Sequence, residues 1–332
     1  MVVNVLDLFC GGGGSSWGAQ AAGCRIVAGV DADSIACAAY QRNFPGSAAS
    51  CLRMTKDTRP GDLGTLGPID LLLASPECTN HTMARGSRPI DPASRETAWF
   101  VLNFAMDLLP RWIVIENVVQ MRRWESFDQI VRALEEIGYN VRPFILDAGT
   151  FGVPQQRRRL FVVCDRLEVP PEPASASPSG PPTVADILDP PGTWRRQPLW
   201  REGRAKPTLE RAERAISALG EGRDFLIVYY GTDACGGWQT LDRPLRTVTT
   251  IDRFGLVTWP GGVAHLRMLQ VPELMRAMGF AGAYALDGIG TRRDRIRLLG
   301  NGVAPPVMEA IIRSLIMQSG MATTSVAAQE AA

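Results

Sequence analysis

Lysine is almost missing from this 332-residue chain: of its 35 basic residues only Lys56 and Lys206 are lysine, and the rest are arginine. A GC-rich coding sequence and a selected need for the planar guanidinium fork, which grips phosphate and base edges, account for that bias equally well. Net charge is only +1, so charge alone gives no hint of a polyanionic partner. Histidine is as scarce, and neither His81 nor His265 has spaced ligands with which to build a metal site. The seven cysteines are odd in number, scattered and without a C-x-x-C pair, and Cys24, Cys37 and Cys164 sit in apolar surroundings. That argues against a disulfide framework and a zinc site and suits a reducing compartment. No apolar run reaches the ~18 residues of a membrane span, and Met1-Val2-Val3-Asn4-Val5 has no basic region before an apolar stretch. The expectation is therefore no membrane segment, no secretory signal and a cytoplasmic location.

What is present is a globular composition, 45% hydrophobic and 21% charged, long enough for one large domain or two smaller ones. The first half alternates strand and helix. Strands are expected at Val2 to Leu6, Arg25 to Val30, Asp70 to Ala74, Trp112 to Ile115 and Leu160 to Val163. Helices are expected at Ser15 to Ala22, from Asp31 through Tyr40, at Arg95 to Leu109 and at Phe127 to Ile137. Such βαβ alternation predicts an α/β fold with a parallel, doubly wound sheet, whose ligands bind outside the carboxyl ends of the strands.

From Val169 to Gly192 eight prolines interleave with Ser, Ala and Gly, a texture that marks a boundary because it cannot join a core. Only Thr183 to Leu188 inside it is expected to be ordered, as a short capped helix. Trp194 to Pro260 lacks the βαβ rhythm, clusters Arg195, Arg196, Arg201, Arg204, Arg211 and Arg214, and ends in strand-like Phe225 to Tyr230 and Leu245 to Thr250. This is expected to be a small second domain. Helix returns at Val271 to Met278 and Pro305 to Met317, and Met321 to Ala332 is a small-residue tail expected to be disordered.

Three strand ends carry chemistry. Asp7-Leu8-Phe9-Cys10-Gly11-Gly12-Gly13-Gly14-Ser15 is a glycine loop that can hold a cofactor, although glycine runs after strands are also common turns. Asp31 strengthens the cofactor reading, since an acid at the end of the second strand is where nucleoside-binding sheets accept ribose hydroxyls. Leu71-Leu72-Leu73-Ala74 ends in Ser75-Pro76-Glu77-Cys78-Thr79-Asn80-His81. Free cysteine usually packs as a small hydrophobe, but this polar turn favours Cys78 as a nucleophile. Glu116-Asn117 after Ile113-Val114-Ile115 could be a helix cap; a buried carboxyl there can also share a proton with a ring nitrogen. Gln155-Gln156-Arg157-Arg158-Arg159 leads straight into a strand, so alternate arginines point toward the top of the sheet.

Taken in order, these segments resemble a DNA (cytosine-5) methyltransferase. The resemblance covers almost the whole chain: Asp7 to Gly14, Asp31, the Pro-x-Cys turn, Glu116-Asn117-Val118 and Gly152 to Arg159. It continues through Arg267-Met268-Leu269 with Pro272-Glu273, Gly279-Phe280 and Gly300-Asn301-Gly302-Val303-Ala304-Pro305-Pro306. It implies a Rossmann-like, S-adenosylmethionine-dependent methyltransferase domain from residues 1–166 and 286–320, with a linker at 167–193. A smaller target-recognition domain with its return segment would occupy 194–285, ahead of the tail 321–332. It also implies Cys78, Glu116, Arg157 and Arg159 as catalytic residues, with Arg159 at the cytosine carbonyl and Arg157 bridging Glu116 and the backbone. Phe9, Gly11, Gly13, Gly14, Asp31, Pro76, Asn301 and Val303 would bind S-adenosylmethionine. Asn117, Val118, Gln155, Thr249 and Thr250 would meet the substrate, a cytosine flipped from double-stranded DNA. No metal is implied. The implied partner is DNA, bound by a monomer at the nucleoid, with a cognate restriction endonuclease left open.

The chain departs from the family pattern at four places. Glu77 stands where the family usually has proline, and Thr79 replaces the usual glutamine, so both have an uncertain role. Ala32 takes the place of a large side chain against adenine, and Ser50-Cys51-Leu52 lacks the acid expected near the adenine amino group. These departures leave open an RNA or modified pyrimidine substrate, a modified donor, or a catalytically inactive DNA-binding regulator.

Overall fold

The computed structural model describes residues 2–76, 92–175, 180–230 and 236–320. In chain order the first half forms β1 (Asn4–Leu8), α1 (Gly14–Ala21), β2 (Arg25–Asp31), α2 (Ser34–Asn43), β3 (Ala48–Cys51) and β4 (Leu71–Ala74). It continues with α3 (Pro92–Leu108), β5 (Trp112–Asn117), α4 (Phe127–Glu136), β6 (Asn140–Asp147) and β7 (Arg158–Asp165). These strands make one seven-stranded sheet in the order β3-β2-β1-β4-β5-β7-β6. The five from β3 to β5 are parallel, as the βαβ rhythm predicts. β7 is antiparallel to both its neighbours. The reason is local: β6 and β7 are joined by residues 148–157, which hold one short 3-10 turn (Ala148–Phe151) and no crossover helix, and so short a connection reverses the chain.

Alternation along the central strands divides their side chains between two cores. Val5, Leu71, Leu73, Trp112 and Val114 face one core, closed by Ala19 of α1, by Ala22 just after it and by the C-terminal helix. Leu6, Leu72, Ala74, Ile113 and Ile115 face the other, closed by Val101 and Phe104 of α3 and Ile130 and Leu134 of α4. Leu71, Leu72 and Leu73 are fully buried, each such side chain contributing roughly 1.5–3 kcal/mol. A sheet covered on both faces leaves its carboxyl edge as the open rim.

The second half adds β8 (Gln197–Pro198), α5 (Lys206–Leu219), β9 (Phe225–Val228), β10 (Trp238–Thr240), β11 (Phe254–Thr258) and β12 (His265–Met268). These strands form an antiparallel sheet in the order β10-β9-β11-β12-β8. Helices α6 (Val271–Ala277), α7 (Arg292–Asn301) and α8 (Pro305–Gln318) follow. α8 returns to pack on α1, where Gly18 lies so close that a Cβ would stand 2.4 Å from the Pro305 carbonyl oxygen. Among the described residues no helix is long and apolar enough to cross a membrane.

Three sequence expectations need correction. The second helix does not begin at Asp31: Asp33 is its cap, its carboxylate accepting the Ile35 N–H, so Asp31 stays on the rim. The proline-rich segment does join a core, because Val184 and Ile187 are buried among Leu226, Val248 and Leu274. Its backbone is also tied down, Val184 and Ala185 donating to the carbonyls of Arg243 and Leu241. Leu245 to Thr250 is not a strand of the small sheet; it makes one bridge, between Leu245 and Gln155, against the large unit.

Candidate active site

The chain leaves β1 through a turn in which Phe9, Gly11 and Gly13 have φ of 55°, 52° and 87°. Packing dictates most of this loop. A Cβ on Gly13 would stand 2.4 Å from the Phe44 ring, and one on Gly14 would stand 2.3 Å from the Val303 carbonyl oxygen. Gly12 is closed by Tyr284, whose hydroxyl donates to the Gly12 carbonyl at 2.7 Å. Gly11 alone among the loop glycines faces open space, with nothing within 4 Å of its Cβ position. Val303 therefore sits at the loop as expected, and Asn301 is exposed at the end of α7.

Asp31 ends β2 beside that opening. One carboxylate oxygen accepts the Gly11 N–H and the other the Asp33 N–H, both at 2.9 Å. Burial pushes its pKa up, and these N–H groups oppose the shift. Beneath the loop lies a network that sequence reasoning missed. Fully buried Asp7 accepts from Ser16 Oγ at 2.7 Å, and Ser16 Oγ lies 2.7 Å from the Tyr40 hydroxyl. The second Asp7 oxygen has no partner among the described residues. Burial, with the Asp31 charge adding to it, pushes the Asp7 pKa up to about 7. The acid opening the glycine run was a visible signal; its seryl and tyrosyl partners were not.

The other end of the rim is built from β4, β5 and β7. Pro76, the last residue described after β4, is buried, and its carbonyl accepts from the Asn117 amide at 3.1 Å. The Asn117 carbonyl oxygen accepts the Val118 N–H at 2.8 Å, so this expected substrate contact pins two strand ends together. Glu77, Cys78 and Thr79 lie outside the described residues. Glu116 is buried at the end of β5, and burial raises its pKa against the pull of Arg159 and then Arg157. Its partner is Arg159, with Nε 3.2 Å from Glu116 Oε1.

This corrects the expectation that Arg157 bridges Glu116 and the backbone. Arg157 donates to the carbonyls of Val248, Gly300 and Gly302 at 3.1, 2.9 and 2.7 Å, while the ion pair with Glu116 is made by Arg159. Strand direction explains the exchange of roles. Because β7 runs against β5, Glu116 pairs with Phe161 and Asn117 with Leu160; Arg159 lies two residues before Phe161 on the same face of the sheet, within reach of the acid.

Gln155 also departs from expectation. It is fully buried, its amide donating to the Ala277 carbonyl and Met278 sulfur while its oxygen accepts the Val248 N–H. No surface is left for a base to touch; it holds the segment 245–248 in place. Thr249 is half-buried, its hydroxyl on the Ile251 carbonyl at 3.1 Å, and Thr250 is exposed. A Cβ on Gly300 would stand 2.3 Å from the Thr249 carbonyl carbon, so this segment sits directly on the end of α7.

The rim thus holds an opening beside a half-buried acid, suited to a nucleoside, and a second, buried acid with one oxygen held by a guanidinium, suited to hydrogen-bonding a ring nitrogen. Comparison with known proteins agrees with this arrangement. The family model for C-5 cytosine-specific DNA methylase matches residues 3–317. Type II methyltransferase M.XorII of Xanthomonas oryzae is 33% identical over 194 residues, covering 55% of this chain and 45% of that protein. M.HgiDI of Herpetosiphon aurantiacus is 31% identical over 49% of this chain and 52% of its own length. The chain spans about half the length of these two relatives. M.HindV of Haemophilus influenzae is 25% identical over 78% of this chain and 86% of that protein. A DNMT2 mutant from Spodoptera frugiperda superposes with a TM-score of 0.69 at 19% identity, covering 95% of this chain and 99% of that one. The Entamoeba histolytica methyltransferase EhMeth does so with 0.69 at 18%, covering 96% and 99%. At such identities these likenesses concern the fold. On the evidence of fold, rim and family match together, the chain belongs to the C-5 cytosine-specific DNA methylase family.

Proposed function

We propose that the chain methylates carbon 5 of a cytosine flipped out of double-stranded DNA, with Cys78 as nucleophile and S-adenosylmethionine as donor. The observation that carries this reading is the buried Glu116 carboxyl. One of its oxygens is held by Arg159, and the next residue, Asn117, grips the carbonyl that leads into the Cys78 turn. Carbon 5 of cytosine is a poor nucleophile. Addition of the Cys78 thiolate to carbon 6 converts the ring to an enamine, while a protonated Glu116 donates to ring nitrogen 3 and keeps the developing charge low. Burial favours the protonated form this step needs. Arg159 aligns the carboxyl and lies within reach of the ring carbonyl. Carbon 5 of that enamine would then take the methyl group that the bound donor supplies, and loss of the carbon 5 proton to solvent with expulsion of the Cys78 thiolate releases the methylated base.

The residues present suit the donor. Gly11 faces open space and Asp31 presents a carboxylate beside it, so the loop would take the methionine portion and Asp31 the ribose hydroxyls. When bound, the donor supplies an electrophilic methyl group. The hydrogen bonds to Asp31 from Gly11, Asp33 and Ala32 all come from backbone N–H groups, so the side-chain departures at Ala32 and Cys51 leave this assignment standing.

DNA is the partner favoured by the small sheet. A cleft of about 360 Å³ there is lined by Arg195, Arg204, Arg267 and Arg292 together with Gln197 and Gln270. Glu273 neutralises Arg267 and Asp252 neutralises Arg292, leaving Arg195 and Arg204 for a phosphate backbone. The chain would act on DNA as a monomer, and exchange of residues 194–260 should change the methylated sequence while the chemistry persists. The decisive experiment incubates the protein with labelled S-adenosylmethionine and plain DNA and RNA to read turnover, and separately with DNA carrying 5-fluorocytosine to trap the adduct. A covalent complex that Cys78→Ala abolishes supports the mechanism. Full turnover by Cys78→Ala, or label appearing only in RNA, overturns it.

A further inference from the structure

Two aspartates stand two residues apart at the end of β2, and a guanidinium from the far end of the chain meets one of them. Asp33 accepts the Ile35 N–H at 2.9 Å and forms an ion pair with Arg297, 264 residues later on α7. The Asp33 N–H in turn donates to Asp31 at 2.9 Å. Arg297 also lies 3.5 Å from Asp294, whose carboxylate closes a capping box with Thr291, so the guanidinium is held from its own helix as well. We propose that Arg297 is a positioning residue of the cofactor site, acting through Asp33 to keep the Asp31 carboxylate aimed at the ribose. This rests on the assignment of Asp31 to the donor's ribose.

The electrostatics point the same way as the geometry. The groups facing Asp31 are Asp7 and Cys10 from β1 and its loop, Asp33 on the turn, Cys37 from α2 and Cys51 from β3. Each is neutral or negative, and the cation beside them is Arg297. Burial raises the Asp31 pKa, and the Asp33 charge raises it further. Against its own burial, Asp33 is held below the usual carboxylate range by Arg297 and the helix N–H groups. Without Arg297 the charge on Asp33 would bear fully on Asp31 and favour its protonated form, which accepts ribose hydroxyls poorly.

The test compares Arg297→Ala, Arg297→Lys and Thr291→Ala in the full chain, with KM measured separately for S-adenosylmethionine and DNA from pH 6 to 9. Arg297→Ala should raise KM for S-adenosylmethionine about three- to tenfold at the acidic end, the size expected of a half-exposed charge contact. The difference should shrink as pH rises and Asp31 ionises again, with kcat and KM for DNA within about twofold of wild type. Arg297→Lys, which restores the charge, should recover most of the affinity. Thr291→Ala removes the side-chain cap of the same helix and frees Asp294 while leaving the direct Asp33–Arg297 pair in place, so it should lower the melting temperature and raise KM for S-adenosylmethionine less than Arg297→Ala does. A wild-type KM for S-adenosylmethionine in Arg297→Ala at every pH overturns the proposal, as does a rise shared equally by both substrates. Asp31→Ala separates the two levels: unchanged donor binding there removes the ribose assignment itself, whereas weakened binding with an unaffected Arg297→Ala removes only the role of Arg297.

Discussion

Replacing Asp7 by asparagine should change how the stability of this protein depends on pH, because Asp7 is an acid with nowhere to put its charge. It is fully buried, one oxygen accepts from Ser16, and the other has no partner among the described residues. Burial raises its pKa from 3.8 to about 7. Above pH 4 the unfolded chain has released this proton, whereas the folded protein keeps it until about pH 7. The folded state therefore binds more protons over that window, and stability must fall as pH rises through it. The shift of roughly three units corresponds to a loss on the order of 4 kcal/mol, complete above about pH 7 and absent below about pH 4. Asparagine matches the protonated acid in shape, still accepts from Ser16 and cannot ionise.

Urea denaturation of wild type and Asp7→Asn, at intervals from pH 5 to pH 8.5, reads this directly. The raised pKa values of Asp31 and Glu116 also tilt the wild-type curve in the same direction, but they are common to both proteins and cancel in the difference. At pH 5 the variant should be no more stable than wild type, because its amide must find a partner where Asp7 has none, at a cost of about 1–3 kcal/mol. At pH 8 it should be the more stable of the two. A difference between the two proteins that stays constant across the range would refute the argument, since only an Asp7 that keeps an ordinary pKa gives that result.

Other outcomes follow from the same coordinates. Glu116→Gln should lower kcat by about a hundredfold or more. The wild-type rate should also fall on the alkaline side, as the raised pKa of Glu116 is passed, and that limb should vanish in the variant pH–rate profile. Gly14→Ala pushes a methyl group against the Val303 carbonyl and should cost at least about 1–3 kcal/mol in denaturant. Gly11→Ala meets no neighbour and costs only its left-handed backbone, about 1–2 kcal/mol, yet it should weaken S-adenosylmethionine binding measured by calorimetry. Glu273→Ala strips the bidentate partner from Arg267 and two acceptors from the N–H groups of Asp189 and Gln270. A loss of about 3–5 kcal/mol is expected, and an unchanged urea midpoint would dismiss the pair as incidental.

Five of the seven strands of the large sheet were legible because each is a short apolar run set among helices; β3 and β6 were not, since Ala48–Cys51 has no buried residue and Asn140–Asp147 is broken by Arg142 and Pro143 and buries only Phe144. Direction was less legible: nothing in Leu160 to Val163 says that it runs backwards, and on that hangs whether Arg157 or Arg159 meets Glu116. Helices α5 and α7 escaped notice for a different reason. In α7 only Ile296, Leu298, Leu299 and Gly300 are buried, among arginines that look like a solvated run. Leu245 to Thr250 has strand-like composition but answers to the Gln155 side chain and to Arg157, long-range partners that no local pattern reveals. Gln155 was misplaced for the complementary reason, since a polar residue beside arginines suggests a surface until its donors and acceptor are all found inside.

The arginine excess, ambiguous in the sequence, acquires a structural cause alongside any contact with nucleic acid. Arg157 spans three backbone carbonyls on two separate segments, which a single ammonium point cannot do with fixed geometry. Arg267 grips both oxygens of Glu273. Arg276 holds the Ile187 carbonyl and Asp189, tying the proline-rich segment to α6. Arg292 joins Asp252 to the Leu269 carbonyl, and Arg297 reaches Asp33 across the whole chain. Apart from Arg267, whose partner is six residues away, each of these guanidinium groups ties together segments that are far apart in sequence. A fold that closes its first strand against its last helices, with a second sheet between them, needs such two-ended connectors. The same geometry that suits guanidinium to phosphate therefore serves here to hold β2, β7 and the C-terminal helices around one rim.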